Sequence, residues 1–594
     1  MSRIPLRPLA RILDAREKGE NPDEIERENL RHRHEEMRDK ARLRSEGRLV
    51  VLAGLFFFAF LIVGGRMAML SASEPQEPRA QAPGASIAAA RADIVDRNGR
   101  ILATNLVTHA LYAQPLQMVD KAHAARELAR IFPDLDEATL LDQFTGPRKF
   151  LWIKKKLSPE QKQAVHDIGD PGLMFGPREM RLYPNGRLAA HVMGGASFGR
   201  EGVRAAEVIG TAGVERRFDA FLRDPANGGA PLQLSLDLTV QAATERVLAG
   251  GMRLMNAKGA AAVLMDVYTG EVISLVSLPD FDPNDRPHVP TQGDASDSPL
   301  FNRAVQGLYE LGSTFKVFAA AQALELGLVS PNTMIDTRGP LRWGKFRIRD
   351  FHDYGARLSV TDVVVKSSNV GTARIAAEIG ADRQRDFLGA LGLLEPTALE
   401  LVEAPGAHPL LPSNWSELSA MTISYGHGLS SSPLHLASAY ASVLNGGTRV
   451  TPTLLRSQRT TLGPRVVSAR TSETVRAMLR QVVVRGTASF GEVAGYNVGG
   501  KTGTADKPRP QGGGYYEDKV IATFASVFPA NDPKYILVVT LDEPEETSGP
   551  EPRRTAGWTA VPVAAEIIRR TAPLLGLRPE IEPLAPTGVT LTSN

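Results

Sequence analysis

Polar and apolar positions change their rhythm several times along the chain. The first 48 residues set 13 Lys/Arg against 11 Asp/Glu with almost no apolar periodicity. Such a segment predicts a solvated helix in part and disorder in the rest. Residues 49–65 are then apolar or glycine without a break, and Met67-Ala68-Met69-Leu70 follow Arg66. A helix of roughly 20 such residues spans the hydrocarbon core of a bilayer, so residues 49–70 predict one transmembrane anchor, with Arg66 snorkelling to the far interface. Arg38, Lys40, Arg42, Arg44 and Arg48 precede it, which predicts a cytoplasmic N-terminus and the rest of the chain outside. The rival is a cleaved signal peptide ending at Ser71-Ala72-Ser73; the long charged segment ahead of the apolar run argues against it.

Residues 71–90, rich in Pro, Ala and Gln, read as a linker. Residues 91–235 mix strands and helices and read as a separate N-terminal domain without catalytic spacing. Asn98-Gly99 between two apolar pieces predicts a hairpin. Arg181 to Gly186 and Gly210 to Glu215 read as turn-rich loops, and Lys154-Lys155-Lys156 as a solvated face. From about residue 236 a helix is predicted over 239–254 and strands over 260–266 and 271–278, joined at Tyr268-Thr269-Gly270. A lone strand pair needs a sheet to join. Strands over 496–504, 521–528 and 535–541 supply it, and a helix over 562–575 closes the domain. The intervening stretch is mostly helical, and the tail from 576 is Pro-rich. The fold class is α+β, with one domain over 236–575.

At 594 residues the chain exceeds what one core supports. With 43% hydrophobic and 23% charged residues it reads as globular. A net charge of +3 gives no reason to expect nucleic acid. The absence of cysteine removes thiol nucleophiles, disulfides and zinc–thiolate sites. No metal and no cofactor are expected.

The candidate chemistry sits in three short motifs. Gly312-Ser313-Thr314-Phe315-Lys316 leads into an apolar helical run that Gly327 ends. Residues three apart share a helix face, so Ser313 and Lys316 are expected to meet in the first turn, hydroxyl beside amine. A serine needs a base to become a nucleophile, and a neutral lysine can be that base. Ser367-Ser368-Asn369 falls between two apolar segments, as a loop between helices or a helix cap does. Lys501-Thr502-Gly503-Thr504 follows Val498-Gly499-Gly500 on a predicted strand. Glycines weaken a strand unless something approaches its backbone closely, and an extended substrate paired along the edge is such a thing. The alternative for Lys501 is a charged edge strand that resists aggregation.

In this order the motifs match the set S-x-x-K, S-D-N and K-T-G, except that the middle one is S-S-N here and keeps only the outer Ser and Asn. The chain thereby resembles the class B penicillin-binding proteins, membrane-anchored peptidoglycan D,D-transpeptidases, over nearly everything from residue 49 to about 575. The likeness extends to residues 91–103, Tyr183-Pro184, residues 210–215 and Phe281-Asp282-Pro283-Asn284. It departs at Ala92 for the usual Gly and at Leu311 for the usual Pro, the latter leaving the serine loop less constrained. Tyr425-Gly426-His427-Gly428-Leu429 with Pro433-Leu434 is similar to the division-specific penicillin-binding protein 3 type; His427 is given no catalytic role.

The resemblance implies a penicillin-binding transpeptidase fold, an antiparallel sheet with flanking helices and a helical subdomain. It implies Ser313 as nucleophile toward a stem peptide ending in D-Ala–D-Ala, then transfer to an acceptor amine. It implies Lys316 as base, Ser367 as proton relay held by Lys501, and Asn369 on a substrate amide and on Lys316. Thr502 and Thr504 hydroxyls would hold the terminal carboxylate, Gly503 would let substrate approach, and the Ser313 and Thr504 N–H groups would form the oxyanion hole. β-Lactams acylate the same serine. Implied partners are division-machinery proteins, including a polytopic glycosyltransferase, at the bacterial inner membrane. Alternatives are an elongation-specific transpeptidase, a D,D-carboxypeptidase or β-lactamase-like hydrolase, and a penicillin-sensing scaffold.

Overall fold

The computed structural model describes residues 9–72, 91–201, 206–456, 463–509 and 513–580. The chain divides into two compact units, Met1–Ile87 and Ala88–Asn594. The first holds helices α1 (Leu9–Glu17) and α2 (Pro22–Ala72). The charged segment is thus helical over most of its described length, where the sequence suggested disorder for part of it. Within α2 the apolar side chains Leu52, Leu55, Phe56, Phe57, Phe58, Phe60, Leu61 and Ile62 are all exposed. Among the described residues no helix is long and apolar enough to cross a membrane. The linker expected over 71–90 lies almost wholly outside the described residues, as does the tail beyond 580.

In the second unit, β1 (Ile94–Val95) turns at Asn98-Gly99 into β2 (Ile101–Ala113), antiparallel as expected. Gly99 takes φ +80° there, a value that glycine adopts without strain. Helices α3 (Lys121–Ile131) and α4 (Glu137–Thr145), strand β3 (Leu151–Leu157), helix α5 (Pro159–Asp167) and strand β4 (Leu173–Leu182) follow. β2 carries both β3 and β4 as antiparallel neighbours. Leu111, Leu128, Phe132, Leu140 and Phe144 form the small core beneath them. The short helix α6 (Ala190–Met193), the hairpin of β5 (Gly195–Glu201) and β6 (Ala206–Ala212), and helices α7 (Gly213–Arg217) and α8 (Asp219–Arg223) lead to β7 (Leu232–Gln233), which lies parallel to β1.

The two stretches read as plain loops are the hub of this region. Glu215 is fully buried. It receives Arg91 at 2.6 Å and Arg181 at 2.6 Å, and the Tyr183 hydroxyl donates to it at 3.3 Å. Arg91 also pairs with Asp219 at 2.7 Å. Two guanidinium groups leave water only because this carboxylate meets them.

Helix α9 (Leu238–Leu254) starts at Asp237, whose carboxylate accepts from the Thr239 and Val240 N–H groups. The main sheet runs β14-β15-β16-β8-β9, all antiparallel, with β8 (Gly259–Asp266), β9 (Val272–Leu278), β14 (Gly499–Pro508), β15 (Tyr515–Phe528) and β16 (Tyr535–Asp542). β14 is an edge. It begins later than the expected residue 496 because Gly495 (φ +83°) and Asn497 (φ +44°) break the extended backbone. On one face Ala262, Leu264 and Val539 pack with Val247 and Leu248 of α9 and Val561 and Ile568 of α17 (Ala560–Thr571). On the other, Val263, Met265 and Val538 meet Phe318 and Tyr440. Both faces of the inner strands are dry, so the sequence there is continuously apolar rather than alternating. α17 starts before the expected 562 because Pro562 fits a first turn, where its missing N–H is no loss.

Between the sheet's halves lie α10 (Lys316–Glu325), α11 (Val360–Lys366), α12 (Asn369–Ile379), α13 (Ala381–Ala390), α14 (Glu417–Ser424), α15 (Pro433–Leu444) and α16 (Ala469–Arg485). This insert is helical as expected but also holds two small hairpin-like sheets. β10 (Met334–Asp336) pairs with β13 (Arg357–Ser359), and β11 (Leu341–Trp343) with β12 (Phe346–Ile348).

Candidate active site

Ser313 does not sit in the α-helix that its spacing suggested. Gly312–Phe315 form a 3₁₀ turn and α10 begins at Lys316. Gly312 adopts φ +57°, which admits the sharp entry. The turn is pinned despite Leu311 in the proline position. The Gly312 N–H donates to Gly426 O at 3.3 Å, Thr314 Oγ1 to Leu311 O at 2.9 Å, and the buried Tyr440 hydroxyl to Thr314 O at 2.8 Å. Leu311 itself is 1% exposed and anchors the turn in the core.

Backbone closeness explains three glycines. A Cβ on Gly426 would lie 1.9 Å from Gly312 O, one on Gly312 2.7 Å from Thr504 O, and one on Gly503 2.1 Å from Leu311 O. The serine turn is therefore wedged between the 426 loop and edge strand β14. The space freed at Gly503, read from sequence as room for substrate, is taken by the protein's own turn.

Lys316 is 1% exposed and Lys501 is 0% exposed. Lys316 Nζ donates to Ser367 O at 2.6 Å, to Ser367 Oγ at 3.0 Å and to Asn369 Oδ1 at 2.7 Å. Lys501 Nζ donates to the same Ser367 Oγ at 2.9 Å and to Thr502 O at 3.1 Å. The expected Ser313–Lys316 hydrogen bond is not formed; the amine turns to the second motif, and Ser313 Oγ has no hydrogen bond among the described residues. Catalytic bonds often tighten only when substrate arrives.

Burial pushes Lys316 well below the usual lysine range, and the Lys501 cation adds to the effect, while Asp350 opposes it. The N-terminal end of α10 also disfavours a positive charge at its first residue. Burial alone brings Lys501 down to about 7.

The middle motif is held by two helix ends. Ser367 closes α11 in the left-handed region at φ +64°, a strained position for a non-glycine residue that occurs at functional sites. Ser368 caps α12, accepting from the Gly371 N–H at 2.9 Å. Its hydroxyl donates to Asp350 Oδ2 at 2.7 Å, and the Val370 N–H donates to Asp350 Oδ1 at 2.9 Å. Asn369 Nδ2 donates to Arg349 O at 2.9 Å. Asp350 was missed in the sequence because it belongs to no spacing pattern; it lies on the segment after β12 that only folding lays across the motif.

The structure thus joins Lys316, Ser367, Asn369 and Lys501 in one hydrogen-bonded group, with Ser313 on the adjoining turn. Thr502 and Thr504 lie on the same strand, but their hydroxyls are engaged elsewhere, by Thr487 Oγ1 at 2.7 Å and by the Ala556 N–H at 3.0 Å. A separate cavity of about 350 Å³ lined by Arg286, Phe301 and Glu403 contains none of these residues.

Comparison with known proteins gives the family. Residues 260–569 match the penicillin binding protein transpeptidase domain, and residues 86–229 the penicillin-binding protein dimerisation domain. The chain is 35% identical to the probable peptidoglycan D,D-transpeptidase FtsI of Caulobacter vibrioides, over 93% of each chain. It is 28% identical to peptidoglycan D,D-transpeptidase FtsI of Escherichia coli K12, over 84% of this chain and 87% of that one. The solved structure of penicillin-binding protein 3 from Mycobacterium tuberculosis, complexed with aztreonam, superposes with a TM-score of 0.62 at 27% identity. That match covers 83% of this chain and 97% of the other.

Proposed function

The chain belongs to the penicillin-binding protein transpeptidase family, of the FtsI and penicillin-binding protein 3 type, and on that premise we propose how its residues carry the reaction. It is a serine-type peptidoglycan D,D-transpeptidase of septal cell-wall synthesis, acting through an acyl-enzyme. Ser313 is the nucleophile. Its Oγ attacks the carbonyl of the penultimate D-Ala, and free D-Ala leaves. An amine of a neighbouring stem then attacks the ester, closing the cross-link and restoring the hydroxyl. β-Lactams enter as acyl donors to the same atom.

The observation that carries this reading is the position of Lys316 Nζ, buried, driven toward the neutral form, and held by Ser367 and Asn369. A neutral amine has two N–H donors and one lone pair. Ser367 O and Asn369 Oδ1 take the donors, which leaves the lone pair for a hydroxyl hydrogen. With the lysine neutral, the 3.0 Å contact to Ser367 Oγ reverses and that hydroxyl donates to Nζ at rest; Ser313 takes its place as donor when substrate binds. Lys501 fixes the Ser367 oxygen, so Ser367 passes a proton to the departing or from the entering amine. The Ser313 and Thr504 N–H groups, brought together by the Gly312 contact, are assigned to the oxyanion. Thr504 Oγ1 accepts from the Ala556 N–H and so keeps its own hydrogen to donate; the Thr502 and Thr504 hydroxyls are assigned to the terminal carboxylate, and Gly503 to admitting the serine turn beside them.

Intact-mass analysis of the full chain in detergent after penicillin exposure, with peptide mapping, tests the assignment. One adduct on Ser313 is expected, and none in Ser313→Ala. An adduct of the same yield in that variant overturns it.

The further organisation is proposed on the same footing. Residues 91–235 are assigned to the pedestal domain and 236–575 to the transpeptidase domain, which the two family matches support. The exposed apolar residues between 51 and 63 of α2, behind a basic flank, support a single anchor with the N-terminus in the cytoplasm and catalysis in the periplasm. Division-machinery partners, including a polytopic glycosyltransferase, follow from the family alone. Removing residues 1–72 is expected to move the protein from membrane to soluble fraction; retention in the membrane overturns the anchor.

A further inference from the structure

Three residues before Ser313, Glu310 is 8% exposed. Its Oε1 accepts from the Gly428 N–H at 2.7 Å and from the Tyr515 hydroxyl at 3.1 Å. Its Oε2 is fully enclosed and has no hydrogen-bond partner. No lysine or arginine among the described residues pairs with it. A carboxylate removed from water without a counter-charge is costly, so this position calls for a donor that arrives from outside. The enclosure is aromatic: the Tyr425 and His427 rings lie 5.3 Å apart, and those of His427 and Tyr515 lie 6.3 Å apart. Nδ1 of His427 is likewise buried without a partner. Two orphaned polar atoms, one anionic, thus share an aromatic niche against the serine turn, which the Gly312–Gly426 bond ties to the same loop. Anions and aromatic faces together attract alkylammonium groups.

We propose that Glu310, with Tyr425, His427 and Tyr515, forms the subsite for the ammonium group of the acceptor. This deepens the transpeptidase reading and rests on it. The acceptor amine reaches the acyl-enzyme protonated, and an ammonium cannot attack an ester. Glu310 Oε2 holds the cation and takes one proton from it, which passes on to solvent. The freed amine forms the C–N bond as the C–Oγ bond of the Ser313 ester breaks. The second proton goes through Ser367 Oγ to Ser313 Oγ. Tyr515, at the start of β15, lines the niche beside Glu310.

The test uses the full chain in detergent, a thioester acyl donor ending in D-Ala, and two nucleophiles. One is a primary amine that is cationic at neutral pH, D-alanine; the other is hydroxylamine, which is uncharged there. The readout is the ratio of aminolysis to hydrolysis products, which is internal to each enzyme and independent of its acylation rate. Penicillin labelling of Ser313 in the wild type checks the transpeptidase reading separately. In Glu310→Gln the ratio with D-alanine is expected to fall about ten-fold or more, as for a lost charge-assisted bond, with a much smaller change for hydroxylamine. Glu310→Asp should recover part of the loss. An unchanged ratio, or equal losses with both nucleophiles, overturns the proposal. So does failure of both variants to take up penicillin, which makes Glu310 a support of the turn alone.

Discussion

Leu311 O occupies the space where a side chain on Gly503 would begin, 2.1 Å from the Cβ position. The third motif and the nucleophile turn are therefore held in register by a backbone contact that tolerates no methyl group. Gly503→Ala is expected to push the turn off β14 and slow penicillin acylation by about 100-fold or more, since displacements near 1 Å have that effect on positioned groups. Gly250 provides the contrast. It lies inside α9 with nothing within 4 Å of its Cβ position. Gly250→Ala should add about 0.5–1 kcal/mol of stability, read by urea denaturation, at unchanged acylation. Equal acylation rates in wild type and Gly503→Ala would remove the contact from the argument.

The pH dependence of acylation should report the environment of Lys316. The base acts when neutral, so the rate falls as pH drops through its lowered pKa. Lys501 helps to lower that pKa and Asp350 raises it. Lys501→Met removes the cation, so the acid limb of residual activity moves to higher pH. Asp350→Asn removes the anion and keeps the cap geometry, so the limb moves to lower pH. Stopped-flow acylation by a chromogenic β-lactam across the pH range gives both; shifts in the same direction would contradict the assignment of Lys316 as base.

Buried lysines weaken the fold where they serve the chemistry. Lys501 falls from 10.5 to about 7 on folding, so between those values the unfolded chain binds more protons than the native one. Stability therefore rises with pH through this window, and the penalty is full below it. At pH 7 Lys501→Met is expected to gain about 1–3 kcal/mol, with the gain shrinking as pH approaches about 10. A gain that grows with pH in urea titrations has the wrong sign for this account.

Glu215 should be among the most sensitive positions outside the active site. It is the counter-charge of two arginines, Arg91 and Arg181, that are 4% and 5% exposed. Glu215→Ala leaves both buried and under-paired, at a cost of about 3–5 kcal/mol. The ion pair of Asp532 with Lys534 is exposed on both sides, and Asp532→Ala should change the denaturation midpoint little. Comparable midpoints for the two variants would mean that the hub is not a source of stability.

Much of the fold was legible in residue pattern. The helix at 239–254, the hairpin after residue 260 and the last strand were placed within a few residues, because one continuous apolar core enforces their periodicity; β15 starts six residues before the expected 521, in a polar stretch that carries no such pattern. Local strain moved the ends: the positive φ at Asn497 delayed β14. Arg181 and Glu215 read as loop residues in the sequence because their partners lie far off along the chain. The same holds for Asp350 and Tyr440, which no local motif marks.

By itself the amino-acid order determined the chemistry on offer: one serine, two lysines, a second serine and an asparagine, in an order and spacing that chance rarely produces. Folding decided how they are wired. It turned Lys316 toward Ser367 and Asn369 instead of Ser313, gave Ser367 oxygen to both amines, and filled the notch at Gly503 with the serine turn. Spacing along a chain fixes which side chains share a local face. Burial, charge proximity and backbone contact arise only when segments from 310, 350, 367, 426 and 501 are brought together, and these set the proton affinity on which the reaction depends.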